Sequence, residues 1–207
     1  MPIEQLRVVL VVYIAAIVPL LLIAYLRKKH ALPSWVVVVY VASFIACALG
    51  WELWFTYGWV DGDPVHLRRA GLLNSLIPYH LNWVLNSLAD AGSICLGGLL
   101  LAKYTLGANS NFLTQWNWKA FSILLAWFIG QNIIVEMFLY HDQLAVGKPL
   151  SWAPFAPTGP WFNPVLFEFR DRSISLQGQL PWVIMTPLFY ATLIGYLRRE
   201  KITNVET

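Results

Sequence analysis

Charged side chains are what this chain has least of. They make up 12% of its 207 residues, where a soluble domain carries about 25%. A deficit sustained along the whole chain excludes a soluble core of ordinary make-up and points to lipid as the surrounding solvent. Cysteine is scarce too. Cys47 and Cys95 both fall inside apolar segments, which excludes a disulfide framework and a structural zinc site and leaves two small buried hydrophobes. The net charge of +3 is too small to suggest a nucleic-acid partner. No internal repeat is evident. A cleavable signal peptide is not expected either. The apolar run from Val8 to Leu26 is too long for one and ends in Arg27, Lys28 and Lys29 without a small-residue cleavage site, so it reads as a retained first span.

What is present is apolar length. Hydrophobic residues make up 58% of the chain, and each spanning helix needs roughly 20 of them in a row. The expected fold class is all-α. Residues 1–207 form a single membrane domain, an integral bundle of about five transmembrane helices. The spans are read at about 6–26, 35–57, 78–102, 119–140 and 180–197, the second opened by Pro33-Ser34. Basic residues orient them. Arg27, Lys28, Lys29, Lys103, Lys119, Arg198, Arg199 and Lys201 gather at one set of span ends. The other set balances Arg7, Arg68, Arg69, Lys148, Arg170 and Arg172 with acids. The positive-inside rule then predicts an integral membrane protein with its N-terminus outside and its C-terminus cytoplasmic.

The connection at 141–179 differs from the others. Seven of the twelve prolines lie in or just beyond it: Pro149, Pro154, Pro157, Pro160, Pro164, Pro181 and Pro187. The stretch from Ser151 to Pro164 is also rich in aromatics, which a disordered linker would lack. It reads as a rigid capping loop on the outer face, with a short interfacial helix near Val165–Phe169. A loop that merely covers helix ends is an equal alternative.

Three carboxylates fall within the spans: Glu52, Asp90 and Glu136. Such a group at mid-membrane costs about 2.5–3.5 kcal/mol on insertion scales, so it normally faces the bundle interior and marks a site. The bland alternative is that the acids pair with amides or an Arg to hold helices together. All three fall in the outer halves of their spans, as do Gln131, Asn132 and His141, and the inner halves are nearly pure hydrocarbon. At 100° per residue His80, Trp83, Asn86, Ser87 and Asp90 share an arc of about 120°. Asn132 and Glu136 lie one turn apart. Most of the tryptophans, Trp182 among them, read as interfacial belts, but Trp83 shares the stripe of His80 and Asp90. Acids and aromatic faces in one pocket suit protonation of an alkene or epoxide and shelter of the resulting carbocation. Glu52, Asp90 and Glu136 are therefore the expected catalytic acids. His80, Trp83, Asn86, Asn132, Trp51 and His141 are the expected substrate-binding residues.

The Trp51-Glu52 pair late in the second span, with further acids and tryptophans in later spans, resembles the small membrane-integrated terpene cyclases of meroterpenoid pathways. More distantly it looks like the emopamil-binding-protein sterol isomerases, which are also five-helix bundles. The resemblance covers that dipeptide and the general helix plan. It implies that Glu52 helps to protonate a prenyl epoxide and that Asp90 or Glu136 supplies a second acid. It implies a terpene cyclase or isomerase acting on a hydrophobic small molecule or prenyl lipid in the bilayer, without cofactor or metal. Two other classes compete. A haem- or metal-binding redox protein would use His80 and His141, or His80, Glu136 and His141 with Asp90. A non-catalytic subunit or lipid carrier would use the same polar pocket for binding alone.

Overall fold

The computed structural model describes residues 2–60, 63–107, 110–146, 164–170 and 172–203. Helix α1 (Ile3–Lys28) starts after Pro2 and carries Arg27 and Lys28 in its last turn, where positive charge suits the helix dipole. Pro33 opens α2 (Ser34–Leu49), and Gly50 separates it from α3 (Trp51–Tyr57). A small antiparallel pair, β1 (Trp59–Val60) with β2 (Asp63–Pro64), follows. A 3-10 turn at Val65–Arg68 and the short α4 (Gly71–Leu76) lead back into the bundle.

Pro78 starts α5 (Tyr79–Ala89), which continues through a π-helical segment at Asp90–Leu96 into α6 (Gly97–Leu106). Gly107 ends this span at φ +80, a conformation that glycine adopts without a Cβ penalty. Asn117 caps α7 (Trp118–Val135), its side chain accepting from the backbone N–H of Lys119 and Ala120. A second π-helical segment (Glu136–Tyr140) and a 3-10 turn (His141–Gln143) extend α7. The last elements are the hairpin β3 (Val165–Phe169) and β4 (Arg172–Ser175), then α8 (Leu176–Thr203).

Four helical stretches are long and apolar enough to cross a membrane: Ile3–Lys28, Tyr79–Leu106, Trp118–Gln143 and Leu176–Glu200. The pair Ser34–Leu49 and Trp51–Tyr57, bent by 42°, makes a fifth if it counts as one broken span. The chain is mostly helical as expected, with four or five candidate spans, and these helices run a few residues beyond their apolar stretches. One expectation is corrected. The short helix near Val165–Phe169 is a strand paired with Arg172–Ser175. Val-Leu-Phe-Glu-Phe is a β-favouring run, and Arg170 at φ 49 turns the chain back on itself. The proline- and aromatic-rich stretch from Ser151 to Asn163 lies outside the described residues.

Two apolar clusters hold the bundle. One gathers Leu124, Phe128, Trp182, Tyr190 and Leu193 from α7 and α8, with Cys95 and Leu99. The other joins Val8 and Ala16 of α1 to Leu73, Ile77 and Leu85. Both cysteines are buried and free. The end contacts show alternating helix direction. At one end Arg7 pairs with Asp142 at 2.5 Å, and the Tyr13 hydroxyl donates to the Leu76 carbonyl. At the other the Tyr190 hydroxyl donates to the Phe112 carbonyl, and Arg198 Nε to that of Thr114.

Candidate functional site

The site begins at Gly50. Its φ of −87° and ψ of −119° interrupt the helix, and a Cβ there would stand 2.6 Å from the Ala46 carbonyl oxygen. A helix break leaves carbonyls without their usual i+4 donors. Trp83 on α5 supplies one, its Nε1 donating to the Ala48 carbonyl at 2.8 Å. The chain is thus turned and then held, and the turn places Trp51 and Glu52 on the wall of an internal cavity.

The cavity is partly open and has a volume of about 180 Å³. Glu52, Asp90, Trp51, Asn86 and Asn132 all line it, and so do the unforeseen Asn82, Arg69 and Trp182. Val8, Val11, Val12 and Ala15 of α1 add an apolar wall. Glu52 is 6% exposed, and its Oε2 is buried without a hydrogen-bond partner. Asp90 sits close enough for the two carboxyls to interact electrostatically. Trp51 Nε1 donates to Asp90 Oδ2 at 2.9 Å, and the Trp51 ring lies 4.9 Å from that of Trp182. Two acids, one of them oriented by an indole, therefore share one small aromatic-walled space.

Other expected site residues lie elsewhere. Glu136 does not line the cavity. It is 1% exposed and accepts from Gln179 Nε2 at 2.8 Å. Gln179 Oε1 in turn accepts from Asn132 Nδ2, which also reaches the Gly178 carbonyl. This amide chain ties α7 to the start of α8, which is the helix-pairing role. His80 is exposed, hydrogen-bonded to the Tyr57 hydroxyl at 2.8 Å and stacked on Tyr79. Trp83 is spent on the helix break. His141 is half-buried near Arg172 and Asp142 and is likewise absent from the cavity lining. The reason lies in helix rotation. The cavity face of the third span is Asn82, Asn86, Ala89, Asp90 and Ser93. That face is only the edge of the predicted stripe, whose other members, His80, Trp83 and Ser87, contact Tyr57, Ala48 and the Trp83 carbonyl.

Asn82, Arg69 and Trp182 were the residues missed. Arg69 counts in the sequence as one of several balanced loop charges, and nothing in its neighbourhood signals burial. It is 7% exposed, and burial pulls its pKa down to about 10, so it remains a cation at neutral pH. Trp182 reads as belt but is 4% exposed against Phe128 and Trp51.

Two connections meet beside the cavity, where Arg69, Gln143 and Leu144 line it. Ala70 N–H donates to the Gln143 carbonyl at 2.8 Å and Ala145 N–H to that of Arg68 at 2.7 Å. An isolated bridge joins Arg69 to Leu144. Asp142 binds Arg172 as well as Arg7, and Arg172 also donates to the Met137 carbonyl at 2.7 Å. The segment before α4 is thereby clamped to the end of the fourth span. No protein-family model matches the chain, and neither a curated protein nor a solved structure matches it. What the cavity does follows from its side chains alone.

Proposed function

We propose that this protein is a membrane-embedded enzyme that cyclises or isomerises a prenylated or terpenoid lipid by carboxyl-mediated protonation. The observation that supports it most is the pair Glu52 and Asp90 on one cavity beside Trp51, Phe55 and Trp182. The exterior favours a bilayer. Leu10, Ile14, Leu21, Leu100 and Ile184 are each about half exposed or more, and apolar surface of that extent needs an apolar solvent. The basic span ends favour a cytoplasmic C-terminus.

Protonation chemistry needs an acid and a base within reach of one substrate. One carboxyl transfers its proton to an alkene carbon or an epoxide oxygen, and the electron pair of the C=C or C–O bond leaves a carbocation. A second double bond closes a ring on that cation, or a neighbouring C–H bond supplies its electrons. The other carboxylate takes the released proton, so substrate and product have the same composition. Aromatic faces stabilise the cation by about 2 kcal/mol or more when water is excluded. The cavity is small for the whole task. Pockets for drug-sized ligands run to roughly 300–1,000 Å³, so about 180 Å³ houses a ring-sized fragment, and the rest of the chain extends towards the mouth.

The test is turnover of prenyl alcohols, prenyl epoxides and prenylated phenols by purified protein in deuterated water. The expected product is isomeric with its substrate. It carries one carbon-bound deuterium where an alkene carbon is protonated, and none where an epoxide oxygen is, because the deuterium then sits on an exchangeable hydroxyl. Glu52→Gln and Asp90→Asn should each lower the rate by about 10²-fold or more while leaving extractable, folded protein. Full turnover in both variants would remove the acids from the mechanism. Tight binding of these lipids with no conversion at all would make the protein a carrier.

A further inference from the structure

Among the described residues Arg69 is a buried cation whose hydrogen-bond partners are all neutral. A guanidinium has five N–H donors, and three are engaged. Nη1 donates to Asn74 Oδ1 at 3.0 Å and to the Ile77 carbonyl at 2.9 Å, and Nη2 reaches Asn82 Oδ1 at 3.5 Å. Among the described residues the Nε–H is buried without a partner, and the Nη2 contact to Asn82 is long. Nε and Nη2 form the edge of the guanidinium that meets a carboxylate or phosphate in a two-pronged hydrogen bond. Among the described residues no carboxylate ion-pairs with Arg69. A charge kept from water without a counter-ion is costly, yet this one is fixed in place on the wall of the cavity that holds Glu52 and Asp90.

We propose that Arg69 is a head-group clamp, and that the lipid entering this cavity carries an anionic oxygen group which binds its Nε/Nη2 edge. The proposal deepens the functional reading above and rests on its assignment of the cavity as the substrate site. It also fixes a spacing. Asn82, which touches Arg69, is eight residues before Asp90 on one helix, roughly 12 Å at about 1.5 Å per residue. The anionic head and the reacting bond of the ligand are therefore about that far apart. A ligand of that length explains how a ring-sized cavity serves a longer molecule. Its head stays at the mouth, and only its reactive end reaches the acids.

Farnesoic acid and farnesol share a chain and differ in head charge, which makes them the probes. Binding to the full-length protein in phosphatidylcholine nanodiscs is read from quenching of tryptophan fluorescence, since Trp51 and Trp182 line the cavity. Empty nanodiscs correct for partitioning. Wild-type protein should bind the acid about tenfold more tightly than the alcohol, the scale of one charge-assisted hydrogen-bonded pair. Arg69→Gln should bring the two affinities together, and Arg69→Lys should keep part of the difference. Adding phosphatidylglycerol separates the sources of the anion. Loss of the preference assigns the clamp to a bilayer phosphate, retention assigns it to the substrate's own head, and both keep an anion on Arg69. Equal binding of acid and alcohol by wild-type protein overturns the proposal, and that arm decides even if Arg69→Gln does not fold. Because the readout is binding, it is independent of turnover. Inactive Glu52→Gln protein that still prefers the acid leaves the clamp standing, and a preference without any catalysis removes the enzyme reading alone.

Discussion

A buried carboxyl either reacts or holds, and its hydrogen bonds separate the two cases. Glu136 accepts from Gln179 inside a closed amide chain, whereas Glu52 lines a cavity with one oxygen unpartnered. Glu136→Gln is therefore expected to leave turnover within about twofold, because the new amide oxygen still accepts from Gln179. Glu136→Ala strands the Gln179 amide and should cost about 1–3 kcal/mol, read as a lower melting temperature in detergent. Loss of activity in Glu136→Gln with unchanged melting would return Glu136 to the mechanism. Trp83 makes the parallel case. Its indole N–H satisfies the Ala48 carbonyl at the helix break, so Trp83→Phe should lower stability by about 1 kcal/mol. Trp83 does not line the cavity, so the ratio of products should not move. The sequence could flag Glu52 and Glu136 as costly in lipid and Trp83 as sharing a polar stripe. It could not say which would meet a partner, because that depends on helix rotation and on Gln179, more than forty residues from Glu136.

Among the elements, the broken second span and the π-helical segments do the positioning. Both π-helical segments start at a carboxylate, Asp90 and Glu136, and such segments in helices are frequent at functional sites. Pitch is not a residue-type signal, so neither was legible. The run lengths and the Pro33 and Pro78 starts were legible, because an apolar stretch and a helix-opening proline are local features. The break at Gly50 was not, since an apolar run continues across it. Gly50→Ala should test its role. A Cβ 2.6 Å from a backbone oxygen has no flexible neighbour to displace, so the turn must shift and carry Glu52 with it. Turnover is expected to fall about tenfold or more, while helix content by circular dichroism stays unchanged. Gly92 is the complementary site. A Cβ there would stand 2.5 Å from Pro19 Cβ, so Gly92→Ala should push α1 off the Asp90–Leu96 segment. Overpacking of this kind costs about 1–3 kcal/mol, and a melting temperature equal to wild type would show that α1 yields freely.

For the whole molecule, the sequence placed the polar groups of the second to fifth expected spans at one end, and the cavity lies at that end. It could not show what closes the mouth. A proline-rich lid was the expectation, and its stretch from Ser151 to Asn163 lies outside the described residues. Among the described residues the segment before α4 is clamped to the end of the α7 extension beside the cavity. Those backbone pairings carry no side-chain signature, so no pattern in the sequence marks them. A carbocation formed below must be kept from water, since exclusion of water is what prevents side reactions. Ala70→Pro tests this clamp with little else disturbed. Ala70 has φ −57°, which proline adopts without strain. Arg69 before it has φ −78° and ψ 148°, which a following proline tolerates. The substitution removes only the N–H that reaches the Gln143 carbonyl at 2.8 Å. Loss of one such bond costs about 1 kcal/mol, or roughly a fivefold rise in opening of the mouth. Amide exchange across residues 71–77 should rise by that factor, and hydrated by-products should rise with it. A product mixture unchanged alongside faster exchange would mean that the helices themselves keep the acids dry, and that the clamp serves only to carry Arg69.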